Sequence, residues 1–66
     1  MLTNKELVAL KQYAQDALQT EYGFACGKEL MQIDDWAFYW GTPIFVGFTV
    51  GGHSYSYDGV TMRKNN

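Results

Sequence analysis

The dipeptide Gly51-Gly52, set between two runs that alternate in polarity, constrains this chain more than any other feature. Two-residue hairpin turns of types I′ and II′ need positive φ, which glycine adopts without a Cβ clash, and pairing counts outward symmetrically from such a turn. Val50 is therefore expected opposite His53, Phe48 opposite Tyr55 and Val46 opposite Tyr57. Upstream, a connection through Gly41, Thr42 and Pro43 sets Trp40 against Ile44, Tyr39 against Phe45, Phe38 against Val46 and Ala37 against Gly47. The two hairpins then agree on their faces. One face holds Trp36, Phe38, Trp40, Ile44, Val46, Phe48, Val50, Tyr55 and Tyr57; the other holds Ala37, Tyr39, Phe45, Gly47, Thr49, Ser54 and Ser56. Strand side chains alternate with period two, so the first set is expected to form the core and the second to lie open.

Residues 36–57 also contain both tryptophans, three of the four phenylalanines and three of the five tyrosines. That concentration matters in a chain of 66 residues, expected to form a single domain. A domain of this size buries only roughly 60% of its unfolded surface and is stable by roughly 3 to 5 kcal/mol.

Ahead of the aromatic stretch, Thr3 followed by Glu6 reads as a capping box, with Leu2 and Leu7 at the staple positions. Leu7, Leu10, Ala14, Ala17 and Leu18 then recur at spacings of three and four, the apolar stripe of an amphipathic helix, flanked by Val8 and Tyr13. Gly23 is placed to end it in the left-handed conformation. Residues 24–28 read as a loop and residues 30–33 as a short strand. Asp34-Asp35 either turns that strand into the next or bulges one longer strand; a turn pairs Ile33 with Trp36 and Met31 with Phe38, keeping apolar residues on the core face. After Tyr57, Asp58-Gly59 predicts another two-residue hairpin, with Val60 opposite Tyr57, Met62 opposite Tyr55, and residues 63–66 frayed. The expected fold class is α+β: one N-terminal helix packed on an antiparallel β-meander of four to five short strands.

Charge narrows the functional classes. Seven acids against five bases give a formal charge of −2, with Arg63-Lys64 as the one basic pair. Nucleic-acid binders cluster lysines and arginines to release counterions from phosphates, so nucleic acid is an unexpected partner. The helix-then-meander order with VGGHSYS across the turn superficially resembles a double-stranded-RNA-binding domain, but the basic second helix and phosphate-contacting lysines of that family are absent, so nothing is carried over from it. One cysteine excludes an internal disulfide and fits a reducing cytosol. No apolar run approaches the ~20 residues of a membrane span, and no signal-peptide layout begins the chain. A soluble, cytoplasmic protein without membrane association is expected.

Chemistry-bearing residues are sparse. A nucleophilic Cys26 needs a base, and the sole histidine, His53, sits at a hairpin end. His53 has no cluster of ligands around it, and no metal or cofactor is expected. Asp34 and Asp35 are neighbours, which point to opposite faces of a regular strand and form no carboxylate pair there unless the backbone is distorted. No glycine pattern matches a phosphate-binding loop. Gly47 stands out because mid-strand glycine costs about 0.5 to 1 kcal/mol relative to alanine, which points to a bulge or to close approach by another backbone or ligand. On the open face, Tyr39 and Phe45 are expected as a contact pair, Ala37 and Gly47 as the floor and Thr49 as the rim of an interaction surface.

These readings predict a non-enzymatic protein-interaction module, of a size and charge shared by inhibitor, antitoxin-like and phage-encoded regulatory proteins. Its expected partner is a protein of unknown identity, with self-association as a homodimer through the open face. The alternative is a small-ligand or single-stranded nucleic-acid binder on the same face.

Overall fold

The computed structural model describes residues 2–23 and 30–65. The reading of residues 24–28 as a loop, and Cys26 with it, lies outside the described residues. Helix α1, Asn4–Tyr22, begins as its sequence dictates: Glu6 N–H donates to Thr3 Oγ1 at 3.1 Å and Thr3 N–H donates to Glu6 Oε1 at 2.9 Å. These bonds, the backbone N–H bond first, hold the Glu6 carboxyl below its ordinary pKa. At the other end Gly23, at φ +74, donates its N–H to Gln19 O.

Four strands follow in simple meander order: β1, Gln32–Tyr39; β2, Thr42–Val50; β3, His53–Tyr57; and β4, Met62–Lys64. All neighbouring pairs are antiparallel. The helix lays Leu10, Ala14 and Leu18 onto Val46, Phe48, Val50 and Tyr55, with Met31 closing the cluster. Tyr55 stacks on Phe48 with ring centroids 5.3 Å apart, and α1 adds Tyr22 against Tyr55 and Tyr13 against Tyr57. The small Ala14 and Ala17 are buried, so the helix lies close to this aromatic layer. Burial of the Tyr13 ring raises its phenol pKa.

The β2–β3 hairpin has the expected register, from Val50 opposite His53 to Val46 opposite Tyr57. The other two pairings are corrected. In the first hairpin the turn is Trp40-Gly41, with both residues at positive φ, so Tyr39 faces Thr42 and Phe38 faces Pro43. A register shift at Ile44 then brings Ala37 opposite Phe45, Trp36 opposite Val46 and Asp35 opposite Gly47. Proline lacks a ladder N–H, and its place beside the irregularity follows from that. In the last hairpin, Tyr57 faces Met62, Ser56 faces Arg63 and Tyr55 faces Lys64. Asp58-Gly59 is thus part of a four-residue connection, where Asp58 Oδ1 accepts from Val60 N–H and Thr61 N–H. Those two amides, Thr61's first, lower the Asp58 pKa. Arg63 and Lys64 are strand residues, and Asn65 N–H donates to Ser54 O, so this segment is tied to β3.

Asp34-Asp35 is a bulge inside one longer strand, making four strands rather than five. The physical reason is parity. Ile33 must reach the core face with Phe48 while Trp36 lies beside Val46 on that same face, and an odd residue between them is required. Asp34 is that residue.

Candidate functional site

Side-chain alternation places Phe45, Gly47, Thr49, Ser54, Ser56 and Arg63 on the face of the sheet away from α1, with Ala37 and Asp35 completing it along β1. The bulge turns Asp34 to this same face, where Asp34 Oδ2 accepts from Thr49 Oγ1 at 2.6 Å. Asp34 Oδ1 accepts from Gln32 Nε2, and Thr49 Oγ1 lies 3.2 Å from Ser54 Oγ. Of the two readings of Asp34-Asp35, the turn that would keep apolar residues on the core face is not formed and the bulge is. The distorted backbone puts both carboxylates on one face, and both are exposed.

Tyr39 and Phe45 are not cross-strand partners. Phe45 pairs with Ala37 and is half-buried, whereas Tyr39 pairs with Thr42 at the hairpin end and is 64% exposed. Gly47 faces Asp35 and Ser56 rather than Ala37. A Cβ built on it would lie 3.4 Å from Asp35 Cβ, at the edge of ordinary contact, and its φ is not in the left-handed region. The bulge that is one of the two readings of Gly47 lies on the neighbouring strand, at Asp34. Thr49, expected as the rim, donates its hydroxyl to the Asp34 carboxylate.

Three residues expected in the core are outside it. Trp40 is 88% exposed at φ +53 in the turn, and Ile44, displaced by the register shift, is 45% exposed. Trp36 keeps its core-side parity beside Val46 but is 39% exposed at the outer edge of the sheet. Trp40 and Tyr39 meet edge to face, with centroids 6.1 Å apart. The large apolar groups at this hairpin end form an exposed apolar patch that side-chain alternation did not reveal, because the turn lies outside the alternating run. The available signal was Trp-Gly as a two-residue turn, overshadowed by the Gly-Thr-Pro that follows it.

A pocket of about 170 Å³ opens beside Phe45, lined also by Ser56, Tyr57, Asp58, Thr61 and Arg63. His53 is exposed at the start of β3. Among the described residues no group of three or more His, Cys, Asp or Glu side chains is arranged to hold a metal ion. No described helix is long and apolar enough to cross a membrane. No family model matches the chain, and comparison with curated proteins and with solved structures finds no similar one.

Proposed function

We propose that this protein is a small, non-enzymatic interaction module that binds another protein through the aromatic end of the β1–β2 hairpin and the sheet face adjoining it. The observation that carries the reading is Trp40: an indole 88% exposed, on a residue held at φ +53. A bulky residue at positive φ is strained by about 1 to 3 kcal/mol, and such strain concentrates where binding requires it. Tryptophan and tyrosine are also the side chains that most often dominate binding energy at interfaces. Tyr39 braces the indole, Ile44 and Trp36 extend the apolar area, and Phe45 continues it onto the face above Ala37, Gly47 and Thr49.

The role is that of a regulatory or inhibitor-type binder, and the single cysteine is in keeping with work in a reducing cytosol. The test is affinity capture of partners by the wild type and by Trp40→Asn, followed by titration of a purified partner while recording tryptophan emission. A blue shift on binding, with affinity lost in Trp40→Asn and a folded variant, supports the reading. Equal affinity of the two proteins overturns it. A second reading, small-ligand or single-stranded nucleic-acid binding, is favoured only by the pocket between Phe45 and Arg63. It requires oligonucleotide affinity that falls steeply with salt.

A further inference from the structure

The face turned away from α1 carries opposite charges at its two edges, in register. Asp35 on β1, Gly47 on β2, Ser56 on β3 and Arg63 on β4 form one row straight across the sheet. Asp34, turned to the same face by the bulge, adds a second carboxylate to the β1 edge. Among the described residues neither Asp35 nor Arg63 makes a close ion pair within the chain, although the Arg63 charge helps to lower the pKa of Asp58, with which it lines the pocket. The middle of the row is occupied by a glycine and a serine, so the floor between the charged edges is low.

From this pattern we infer that the face is a self-complementary dimer surface whose occupant is a second copy of this chain. The inference deepens the protein-binding reading above by naming the partner of the sheet face, and rests on that reading for the face being a contact surface. A two-fold axis parallel to the strands, running between β2 and β3, turns the face onto itself and exchanges its edges. Each strand β1 then lies over the partner copy's β4, at the same level along the strands. Asp35 of one copy meets Arg63 of the other, and the contact occurs twice, as an isologous interface demands. Packed sheets lie about 10 Å apart, a gap that one extended arginine and one aspartate bridge together.

Two other features fall into place under this operation. Phe45 is carried over β3 of the partner, to the level of the pocket beside Ser56 and Asp58, whose volume of about 170 Å³ is comparable with one aromatic side chain. Each copy therefore fills the other's pocket. Gly47 lies over Ser56, two of the smallest side chains facing each other where the sheets come closest. Among the described residues nothing demands glycine at position 47, since a Cβ there meets Asp35 Cβ at 3.4 Å and φ is ordinary. Close approach of a second sheet supplies the reason. A four-stranded face is small for a stable interface, which normally buries about 1,200 Å² or more, so the dimer is weak and must be sought at roughly micromolar concentrations and above.

The test is sedimentation equilibrium over a concentration series for the wild type, Asp35→Arg, Arg63→Asp and an equimolar mixture of the two variants. The wild type is expected to dimerise, more weakly as salt rises. Each variant alone places like charges opposite each other twice and is expected to raise the dissociation constant by roughly tenfold or more. The mixture restores both opposite-charge contacts, so a heterodimer of two individually monomeric proteins is expected. All substituted positions are exposed, and circular dichroism checks that each variant folds. A wild type that stays monomeric throughout the series overturns the inference, as do single variants that dimerise like the wild type or a mixture that stays monomeric. Trp40→Asn separates the two proposals: it leaves the dimer intact if the hairpin end serves another partner, whatever becomes of that partner's binding.

Discussion

Residues 40–41 and 51–52 both turn the chain with two successive positive φ angles, one as Trp-Gly and the other as Gly-Gly. The second turn uses residues for which this conformation is inexpensive. The first places the most exposed large apolar side chain of the described residues at a position where type I′ turns favour asparagine. The glycine turn sets the register of the buried β2–β3 ladder. The tryptophan turn borders a surface. Local chemistry and fold agree at one end of β2 and conflict at the other, and such conflicts in natural proteins concentrate at functional sites.

Strand β2 serves both hairpins, so substitutions along it separate its two ends most strongly. Phe48→Ala, at the fully buried end, is expected to lose about 3 to 5 kcal/mol, comparable with the whole stability of so small a domain. Ile44→Ala, on the same strand at the exposed irregularity, is expected to change stability by at most about 0.5 kcal/mol. Urea unfolding followed by circular dichroism measures both, and similar losses would show that the two ends of β2 are not so different.

Next in size is Gly52→Val. Its Cβ meets nothing within 4 Å, so the whole effect is that of φ +79 on a β-branched residue, about 1 to 2 kcal/mol of destabilisation. An unchanged urea midpoint would mean that the turn relaxes freely. Trp40→Asn should act in the opposite direction, raising stability by about 1 kcal/mol because asparagine tolerates the left-handed region. Stability gained together with partner binding lost is the combination expected of a strained contact residue. A destabilised variant would mean that Trp40 contributes more to the fold than its exposure implies.

The smallest effect is in pH. The carboxyls of Glu6 and Asp58 both have pKa values lowered in the folded state, so each binds its proton more readily when unfolded. Their contribution is present above the unfolded values of about 4 and is lost as the pH falls through the lowered folded ones. Urea midpoints should be level near neutrality and decline below about pH 4.3. Asp58→Asn keeps an acceptor for the Val60 and Thr61 amides and should flatten part of that decline. An undiminished decline in the variant would assign it to other groups.

Much of this architecture was legible in the sequence, for a reason that also explains the errors. Alternation reports parity, and parity survives a slip of two residues. In the centre of the first hairpin the observed pairing of Trp36 with Val46 replaces the expected one of Phe38 with Val46. In the last hairpin Met62 replaces Val60 opposite Tyr57. Each slip moves a strand by two positions and leaves Val46, Phe48 and Tyr55 in the core and Phe45, Gly47 and Thr49 on the other face. What alternation cannot report is where the chain turns. Gly51-Gly52 announces its turn because only glycine makes that conformation easy. Trp40 does not announce one, and Asp58 instead caps a longer connection with its carboxylate. The apolar and hydroxyl members of the candidate face were thus readable, apart from the Tyr39–Phe45 pairing. Its charged edges, Asp34, Asp35 and Arg63, depended on a bulge and a last register that alternation does not report, and the exposed indole beside it was hidden by a turn that violates the usual preference.

That insensitivity has a kinetic side. During folding, the first and last hairpins can each close two residues out of register while still burying the same aromatic side. The competing arrangements keep the same face buried but exchange partners across the strands, Phe38 for Trp36 beside Val46 and Val60 for Met62 opposite Tyr57, so they retain much of the apolar burial of the native pairing. Escape requires the strand to unzip and pair again. The central hairpin, with its glycine turn, has no such rival and is the natural nucleus onto which the outer strands are sorted, so slow refolding phases should trace to β1 and β4 rather than to the centre of the sheet.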